Sequence, residues 1–459
     1  MNICALLVVQ QNWRKDMPRQ KSGKHPVSSE RGLFELYYED PERADALVFG
    51  RSPEADRRGF LKSAGLAAMG AALGAAIPFS RNMPDGFIPV ALAQKKTLKL
   101  TGKDGLTILG DRPINAETPA HLLDDDVTPT SRHFVRNNGG VPDKTDAAGW
   151  MFEIDGFVNT PMKLSIDDLK KKFQVVTRKL TIECGGNGRA GFNPPASGNQ
   201  WTYGAVANSE WTGVRLADVL KAAGLKPEAK YTGNYGADPH LSGDPKKVTI
   251  SRGVPIEKAM DPDTLLAFAM NGSELHPLNG APLRIVSPGW PGSTSHKWLR
   301  RIWIRDKVHD GSKMTGTSYR VPGYPVAPGQ KVPSSDFEII EAMPVKSLIT
   351  NPQSGVTLAK GTKTMEVRGH AWAGDRSIKE VHVSNDFGAT WVKADLSAAP
   401  NTHSWQRWKA SVEFPSHGYY EIWARATDDK GVMQPFALAW NPKGYLNNAM
   451  HRIAVRVAA

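Results

Sequence analysis

The sequence predicts an α+β chain in two parts, a mixed domain followed by an immunoglobulin-like β-sandwich. Abundant glycine (43) and proline (33) in 459 residues favour many short strands joined by turns over a helical bundle. Only short helical patterns punctuate the first part, SIDDLKKKF (165–173) and GVRLADVLKAAGL (213–225). After the Pro-rich stretch VPGYPVAPGQKVPSSD (321–336) the pattern becomes short alternating strands separated by turn signals. The expected organisation is a leader over 1–93, a catalytic domain over 94–335 and the sandwich over 336–459. A 40% hydrophobic content allows a sizeable core. The formal charge of +12 is spread without a basic helix, a long Lys/Arg run or an aromatic-basic strip. That argues against nucleic acid as a partner and for ordinary surface charge with one local anion site.

The leader sets an expected compartment. RRGFLK (57–62) precedes a small-residue apolar run from Ala64 to Phe79, and Ala91-Leu92-Ala93 offers an A-x-A cut before Gln94. The run is too short and too rich in Ala and Gly for a membrane span. The arrangement resembles a twin-arginine export signal, which implies the twin-arginine machinery as a partner and the periplasm as destination. That route carries folded proteins and suits a cofactor inserted beforehand. Of the two cysteines, Cys4 would be removed and Cys184 would remain. A single cysteine makes no internal disulfide, and no C-x-x-C-H haem attachment is present.

The elements follow in order. Residues 97–146 read as polar and irregular, with FVRNNGGVP (134–142) a short strand running into a loop. WMFEIDGFVNTPMKL (150–164) reads as strand, turn and strand, with Asp155-Gly156 as the turn signal. Ser165 is a helix N-cap for SIDDLKKKF. VVTRKLTIEC (175–184) is a β-branched strand leading into Cys184. GVRLADVLKAAGL has helical spacing and stops at Gly224. LLAFAMNGSEL (265–275) is a short apolar element with a turn at Asn271-Gly272, and APLRIVSPGW (281–290) is a strand breaking at Pro288-Gly289. In the second part TMEVRGHAW, EVHVSNDFGATWVKA, SWQRWKASVEF, YYEIWARATDD and HRIAVRV are the expected strands. Trp391, Trp405, Trp408 and Trp423 are expected in core and interface.

Cys184 sits in ECGGNGR (183–189). Gly185, Gly186 and Gly188 strip side chains from the turn, so a bulky group can approach the backbone. Arg189 nearby favours a thiolate, the form that attacks or ligates metal. A buried small hydrophobe, an intermolecular disulfide, a nucleophile and a metal ligand all remain open. A structural zinc site is disfavoured, because no second cysteine or H-x-x-x-H accompanies it. A metal here would bring its remaining ligands with it, as a molybdenum pterin does.

HFVRNN, ECGGNGR, QWTYGAV, WTGVRL, AFAMNG, PLRIVSPGWPGSTSHKWL and WNPKGYLNNAMHR occur in this order. Together they resemble the sulfite oxidase family of molybdenum enzymes over about 115 to 459. Within it they are most similar to the molybdenum subunits of sulfite or sulfane dehydrogenases of bacterial thiosulfate oxidation. The resemblance implies molybdenum–molybdopterin as cofactor, with Cys184 as the protein's metal ligand. It implies Arg136, Arg189, Trp201 and Lys443 in the substrate pocket. It implies cofactor contacts from Phe134, Val135, Asn137, Asn138, Asp238, Asn279 and Arg284, with Ser295, His296 and Lys297 around the pterin phosphate. Asn138 stands where the family has His, and Asn279 where animal enzymes have His.

Two further departures stand out. Lys443 replaces the family's Arg in WNPKG, and a lysine lacks the planar fork that binds an oxyanion through two donors. The pocket tyrosine of a D-Y-K motif is missing near Met314, and the offset of Tyr319 does not match it. The implied reaction is oxidation of sulfite or of a carrier-bound sulfane sulfur. Its electrons would pass to a separate c-type cytochrome, since this chain carries no haem motif. A thiosulfate-oxidation carrier protein is the partner of the sulfane version. A homodimeric core or a heterotetramer with the cytochrome is the expected assembly. The rival readings are a sulfoxide reductase on the same fold and a non-enzymatic exported binding protein.

Overall fold

The computed structural model describes residues 99–459. The twin-arginine segment, the apolar run, the cleavage site and Cys4 lie outside the described residues. All described residues fall in one compact unit, and its hydrophobic interior is divided among several clusters.

The stretch expected to be irregular holds two strands, β1 (Thr107–Asp111) and β2 (Ile114–Glu117). With β3 (Val135–Arg136) they form an antiparallel sheet in which Arg136 lies opposite Asn115. The strands are short, and a bulge between Ile108 and Gly110 breaks their alternation, so no period-2 signal reaches the sequence.

β4 (Met151–Gly156) and β5 (Met162–Ser165) pair antiparallel, but the turn spans 157–161 and not Asp155-Gly156. Both of those residues are in β4. A Cβ at Gly156 would lie 2.2 Å from the Ile304 carbonyl oxygen, so its glycine serves close strand approach. Ser165 caps α1 (Ile166–Lys172) in a reciprocal box with Asp168, and Lys170, Lys171 and Lys172 fill the last turn. β6 (Val175–Glu183) runs antiparallel to β7 (Val206–Arg215) along its full length and ends at Cys184. α2 (Leu216–Ala223) stops at Gly224 as expected. There follow β8 (Tyr231–Gly236), α3 (Ile256–Ala259), β9 (Leu265–Met270) and β10 (Ser273–Glu274), the last two joined at Asn271-Gly272. β11 (Arg284–Val286) and β12 (Leu299–Arg305) flank the turn-rich segment of 287–298.

These strands form two sheets, β10-β9-β7-β6 with β11 on β9, and β5-β4-β12-β8. Phe152, Ile154, Leu164 and Ile302 pack with Leu169, Val219, Leu220 and Leu266 in one core. Each such buried side chain contributes about 1.5–3 kcal/mol. That core holds β11 through Ile285, while Leu180 and Ile182 of β6 pack with Trp201, Trp211 and Val286 in a second cluster, and the site is built from the ends of these two strands.

The Pro-rich stretch is bracketed by a strand pair, β13 (Arg320–Pro322) with β14 (Phe337–Ile339). Beyond it come β15 (Val345–Asn351), β16 (Val356–Leu358), β17 (Thr364–Ala373), β18 (Ile378–Ser384), β19 (Val392–Lys393), β20 (Asp395–Leu396), β21 (Gln406–Glu413), β22 (Gly418–Asp428) and β23 (His451–Val457). They form sheets β15-β17-β21-β20 and β16-β23-β22-β18-β19. Val367, Trp408 and Val412 of the first meet Val381, Ile422, Ala424 and Val455 of the second in a shared core. Trp405 instead packs with Leu123, Val206, Leu348 and Trp372, joining the sandwich to the first part. Trp423 is buried and Trp391 lies beneath the Arg425 guanidinium at 3.9 Å.

Candidate active site

β6 places Cys184 at its C-terminal end, where the chain turns sharply. The Cys184 N–H donates to Ala205 O at 2.9 Å, and its carbonyl accepts from Asn187 N at 2.8 Å. A Cβ at Gly186 would lie 2.4 Å from an Arg189 guanidinium nitrogen, so glycine is what lets Arg189 fold back over the turn. Arg189 is buried. Its Nε donates to Lys443 O and its NH1 to Asn199 O, both at 2.9 Å, and its guanidinium covers the Tyr445 ring at 4.8 Å.

Two clefts open onto Cys184. The first encloses about 680 Å³ of space, partly open to solvent, and includes Phe134, Asp238, Asn279, Arg284, Ser295, His296 and Lys297 in its walls. The second has Asn115, Asn137, Arg189, Asn199 and Tyr445 among its wall residues. Arg136, Asn138, Cys184 and Tyr319 line both, so the clefts meet at the thiol. Arg136 donates to Asn138 Oδ1 at 2.9 Å and to the Tyr319 hydroxyl at 3.1 Å, and also to Asn137 O. Burial alone would lower its pKa, but Tyr319, Cys184 and Tyr445 outweigh that and hold it raised.

The first cleft is a cationic cradle. Arg284 is buried and gives its donors to the carbonyls of Asn279 (2.7 Å), Ser295 (2.8 Å) and Ile285 (3.3 Å). Lys297 donates to Asn137 Oδ1 and to Leu278 O. Lys103, from a segment with no motif of its own, is not in the cleft wall but supports it, reaching Asn279 Oδ1 at 2.5 Å and the carbonyls of Thr130 and His133. Among the described residues these three cations bond to neutral oxygens and to no carboxylate. Burial pushes Lys297 well below the usual lysine range, Arg284 to about 9 and Lys103 to about 7. Burial, with Arg284 and Lys297 beside it, pushes His296 to about 3, so it stands neutral. Burial raises Asp238 to about 7 against the opposing pull of Lys297.

This set fits an anionic, sulfur-bearing cofactor. Buried amino and guanidinium groups held below their ordinary pKa values by burial regain charge when an anion enters, and the Ser293 hydroxyl and Asn137 Nδ2 are buried at the same clefts with no hydrogen-bond partner among the described residues. Cys184 adds a soft ligand where both clefts meet.

Not every expected residue reaches a cleft. Val135 is fully buried against Leu100 and Ala116, because its side chain faces away from Arg136 in the strand. Trp201 is fully buried in the core behind Cys184, edge-on to Phe134 at 6.5 Å, and lines neither cleft. Its indole N–H has no partner among the described residues. Lys443 meets the site through its carbonyl, which accepts from Arg189, and its side chain lines neither cleft. The missing tyrosine is a correction too. Tyr319 stands at the junction, donating to Asn138 Oδ1 at 3.2 Å and stacking on Tyr445 at 5.8 Å, while Met314 is buried packing. The strained backbone of Tyr319 (φ 54) carries the phenol to the site from an offset that motif spacing does not match. Tyr445, two residues after Lys443 in the WNPKGY motif, lines the second cleft, and no local signal in the motif marks it.

Residues 138–313 match the family model of the oxidoreductase molybdopterin binding domain, and 337–458 that of the Mo-co oxidoreductase dimerisation domain. Fold and site thus define a molybdopterin-binding oxidoreductase. Sulfite oxidase of Gallus gallus is 33% identical over 361 residues, 76% of this chain and 77% of that protein. Mitochondrial sulfite oxidase of Rattus norvegicus is 33% identical over 370 residues, 77% of this chain and 66% of its own length. The chain thus spans about two thirds of the rat protein's length. The solved sulfane dehydrogenase SoxCD from Paracoccus pantotrophus aligns with TM-score 0.64 and 27% identity, over 90% of this chain and 96% of that chain. The chain belongs to the sulfite oxidase family.

Proposed function

We propose that this protein oxidises a sulfur substrate at a molybdenum–molybdopterin centre held by Cys184. The observation that carries this is the meeting of a cationic cradle and a second arginine-lined cleft at one thiol. Arg284, Lys297, Ser295 and His296 would hold the pterin and its phosphate, with Phe134, Asn138, Asp238 and Asn279 along it. The bound centre supplies two-electron oxygen-atom transfer to sulfur.

The chain's own residues do the rest. Arg136 and Arg189 bind and orient the substrate anion, and their cationic charge offsets charge that develops during reaction. Tyr319 fixes the Arg136 guanidinium by accepting one of its hydrogen bonds. Tyr445 walls the pocket and stacks under Arg189, limiting water around the anion.

Sulfite is the substrate we favour, from the sulfite oxidases among the relatives. The likeness to a sulfane dehydrogenase supports a second reading, a sulfane sulfur presented on a carrier protein. We further propose a c-type cytochrome as electron acceptor and a homodimer through the sandwich, which we read as immunoglobulin-like. Domain limits near 94–335 and 336–459, and export to the periplasm by the twin-arginine route, belong to the same proposal. The test is sulfite-dependent reduction of cytochrome c by the metal-loaded protein, with Arg136→Gln raising KM. Reduction of methionine sulfoxide by a viologen dye without any sulfite oxidation would favour the reductase reading instead.

A further inference from the structure

Glu183, the last residue of β6, is 3% exposed and engages both carboxylate oxygens. Oε1 accepts from Lys346 Nζ at 2.5 Å and from Asn187 Nδ2 at 3.0 Å, and Oε2 accepts from Trp372 Nε1 at 2.9 Å. Lys346 comes from β15 and Trp372 from β17, paired opposite each other in the sandwich. Lys346 also reaches Asn187 O at 3.4 Å. Asn187 closes the turn that holds Cys184. Its backbone N–H meets Cys184 O at 2.8 Å, and its Oδ1 accepts from Ala205 N, the neighbour whose carbonyl receives the Cys184 N–H. On the other side, the Glu183 carbonyl accepts from Gly292 N at 2.6 Å, and Gly292 lines the cationic cleft. The Cys184 carbonyl through Asn187, and the Cys184 N–H through Ala205 and Asn187, are therefore tied to one buried ion pair that crosses from the first part of the chain to the sandwich.

We propose that Lys346 and Trp372 are positioning residues for the Cys184 sulfur, acting through Glu183 and Asn187. The sandwich then has a role at the centre itself, apart from any part in dimer formation. A buried carboxylate with a single cation and filled hydrogen bonds has one favourable geometry, and it fixes the turn that follows it. Groups that orient a metal ligand from behind typically change affinity or activity by about 10–100-fold when removed. The proposal rests on the reading of Cys184 as metal ligand.

The test uses purified metal-loaded protein and the electron paramagnetic resonance signal of the half-reduced metal. Lys346→Met is expected to shift that signal and lower kcat about 10-fold at constant metal content, with KM for sulfite little changed. Trp372→Phe keeps an aromatic side chain but removes the N–H together with part of the indole, leaving the Glu183–Lys346 pair in place, so it should shift the signal less, in the same direction. Arg368→Met is the control, because Arg368 pairs with Asp124 at 2.8 Å in another contact between the two parts, away from Cys184. It should lower the melting temperature and leave the signal unchanged. Signals from Lys346→Met and Trp372→Phe that superimpose on wild type, or a shift in Arg368→Met as large as theirs, overturn the proposal. Cys184→Ser separates the two claims. If it keeps the wild-type signal, the ligand reading fails and this inference with it. If it loses the metal while the other variants match wild type, only this inference fails.

Discussion

Arg136 donates to the Tyr319 hydroxyl at 3.1 Å, and that hydroxyl donates onward to Asn138 Oδ1 at 3.2 Å. Arg136 also bonds Asn138 Oδ1 directly at 2.9 Å, closing a three-membered circuit at the point where the two clefts join. A guanidinium held by the Asn137 carbonyl, Asn138 and Tyr319 presents its remaining donors in one direction, which is what recognition of a small oxyanion requires.

Tyr319→Phe removes one arm of that circuit and leaves the ring stack intact. A hydrogen bond to a charged group contributes about 1.5–3 kcal/mol. The variant should lose on the order of 10-fold or more in kcat/KM for sulfite, mostly through KM. Steady-state kinetics on metal-loaded protein reads this directly.

Arg252 lies behind the same tyrosine, its guanidinium 5.1 Å from the ring centroid, fully buried and with no hydrogen-bond partner for its guanidinium nitrogens among the described residues. Replacing a buried, poorly satisfied charge by an apolar side chain of similar length often stabilises by about 1–4 kcal/mol. Arg252→Met should therefore raise the melting temperature while raising KM, because Tyr319 loses its ring partner. A melting curve and a kinetic assay on the same sample test both signs.

The cradle should bind phosphate in protein prepared without cofactor. An anion at 100 times its dissociation constant stabilises by about 2.7 kcal/mol. Inorganic phosphate is expected to raise the melting temperature of the cofactor-free chain. Lys297→Met should remove most of that rise, as read by thermal melting against phosphate concentration.

Asp238 gives a pH dependence of defined sign. Burial raises its pKa from 3.8 to about 7, so folding takes up a proton between those values. The stability it contributes is complete below the lower value and is lost as pH rises through the upper one. Asp238→Asn in cofactor-free protein should flatten the fall in stability across that window. Denaturant melts at several pH values measure it.

Much of this arrangement is legible in the sequence where a local rule acts alone. Ser165 with Asp168, Gly224 after α2, and Asn271-Gly272 between β9 and β10 each follow from the chemistry of a few adjacent residues. Cys184, Arg136, Arg284 and Lys297 were expected at the site from their motifs, and all line the clefts. The failures are long-range. Asp155-Gly156 carries a turn signal, but β12 packs so closely on β4 that the glycine is used for approach. Tyr319 reaches the site by a backbone turn that spacing does not encode, and Lys103 and Lys346 come from segments with no motif of their own. Motif position points to Lys443, whereas Tyr445, two residues on, is the side chain that lines the cleft.

The measurement that bears most directly on the central claim is molybdenum and pterin content of purified wild-type and Cys184→Ser protein, with folding checked in parallel. The account predicts equimolar molybdenum and pterin in wild type, and a folded Cys184→Ser chain that has lost the metal and its sulfite oxidation. A Cys184→Ser protein that keeps the metal and full turnover would contradict it.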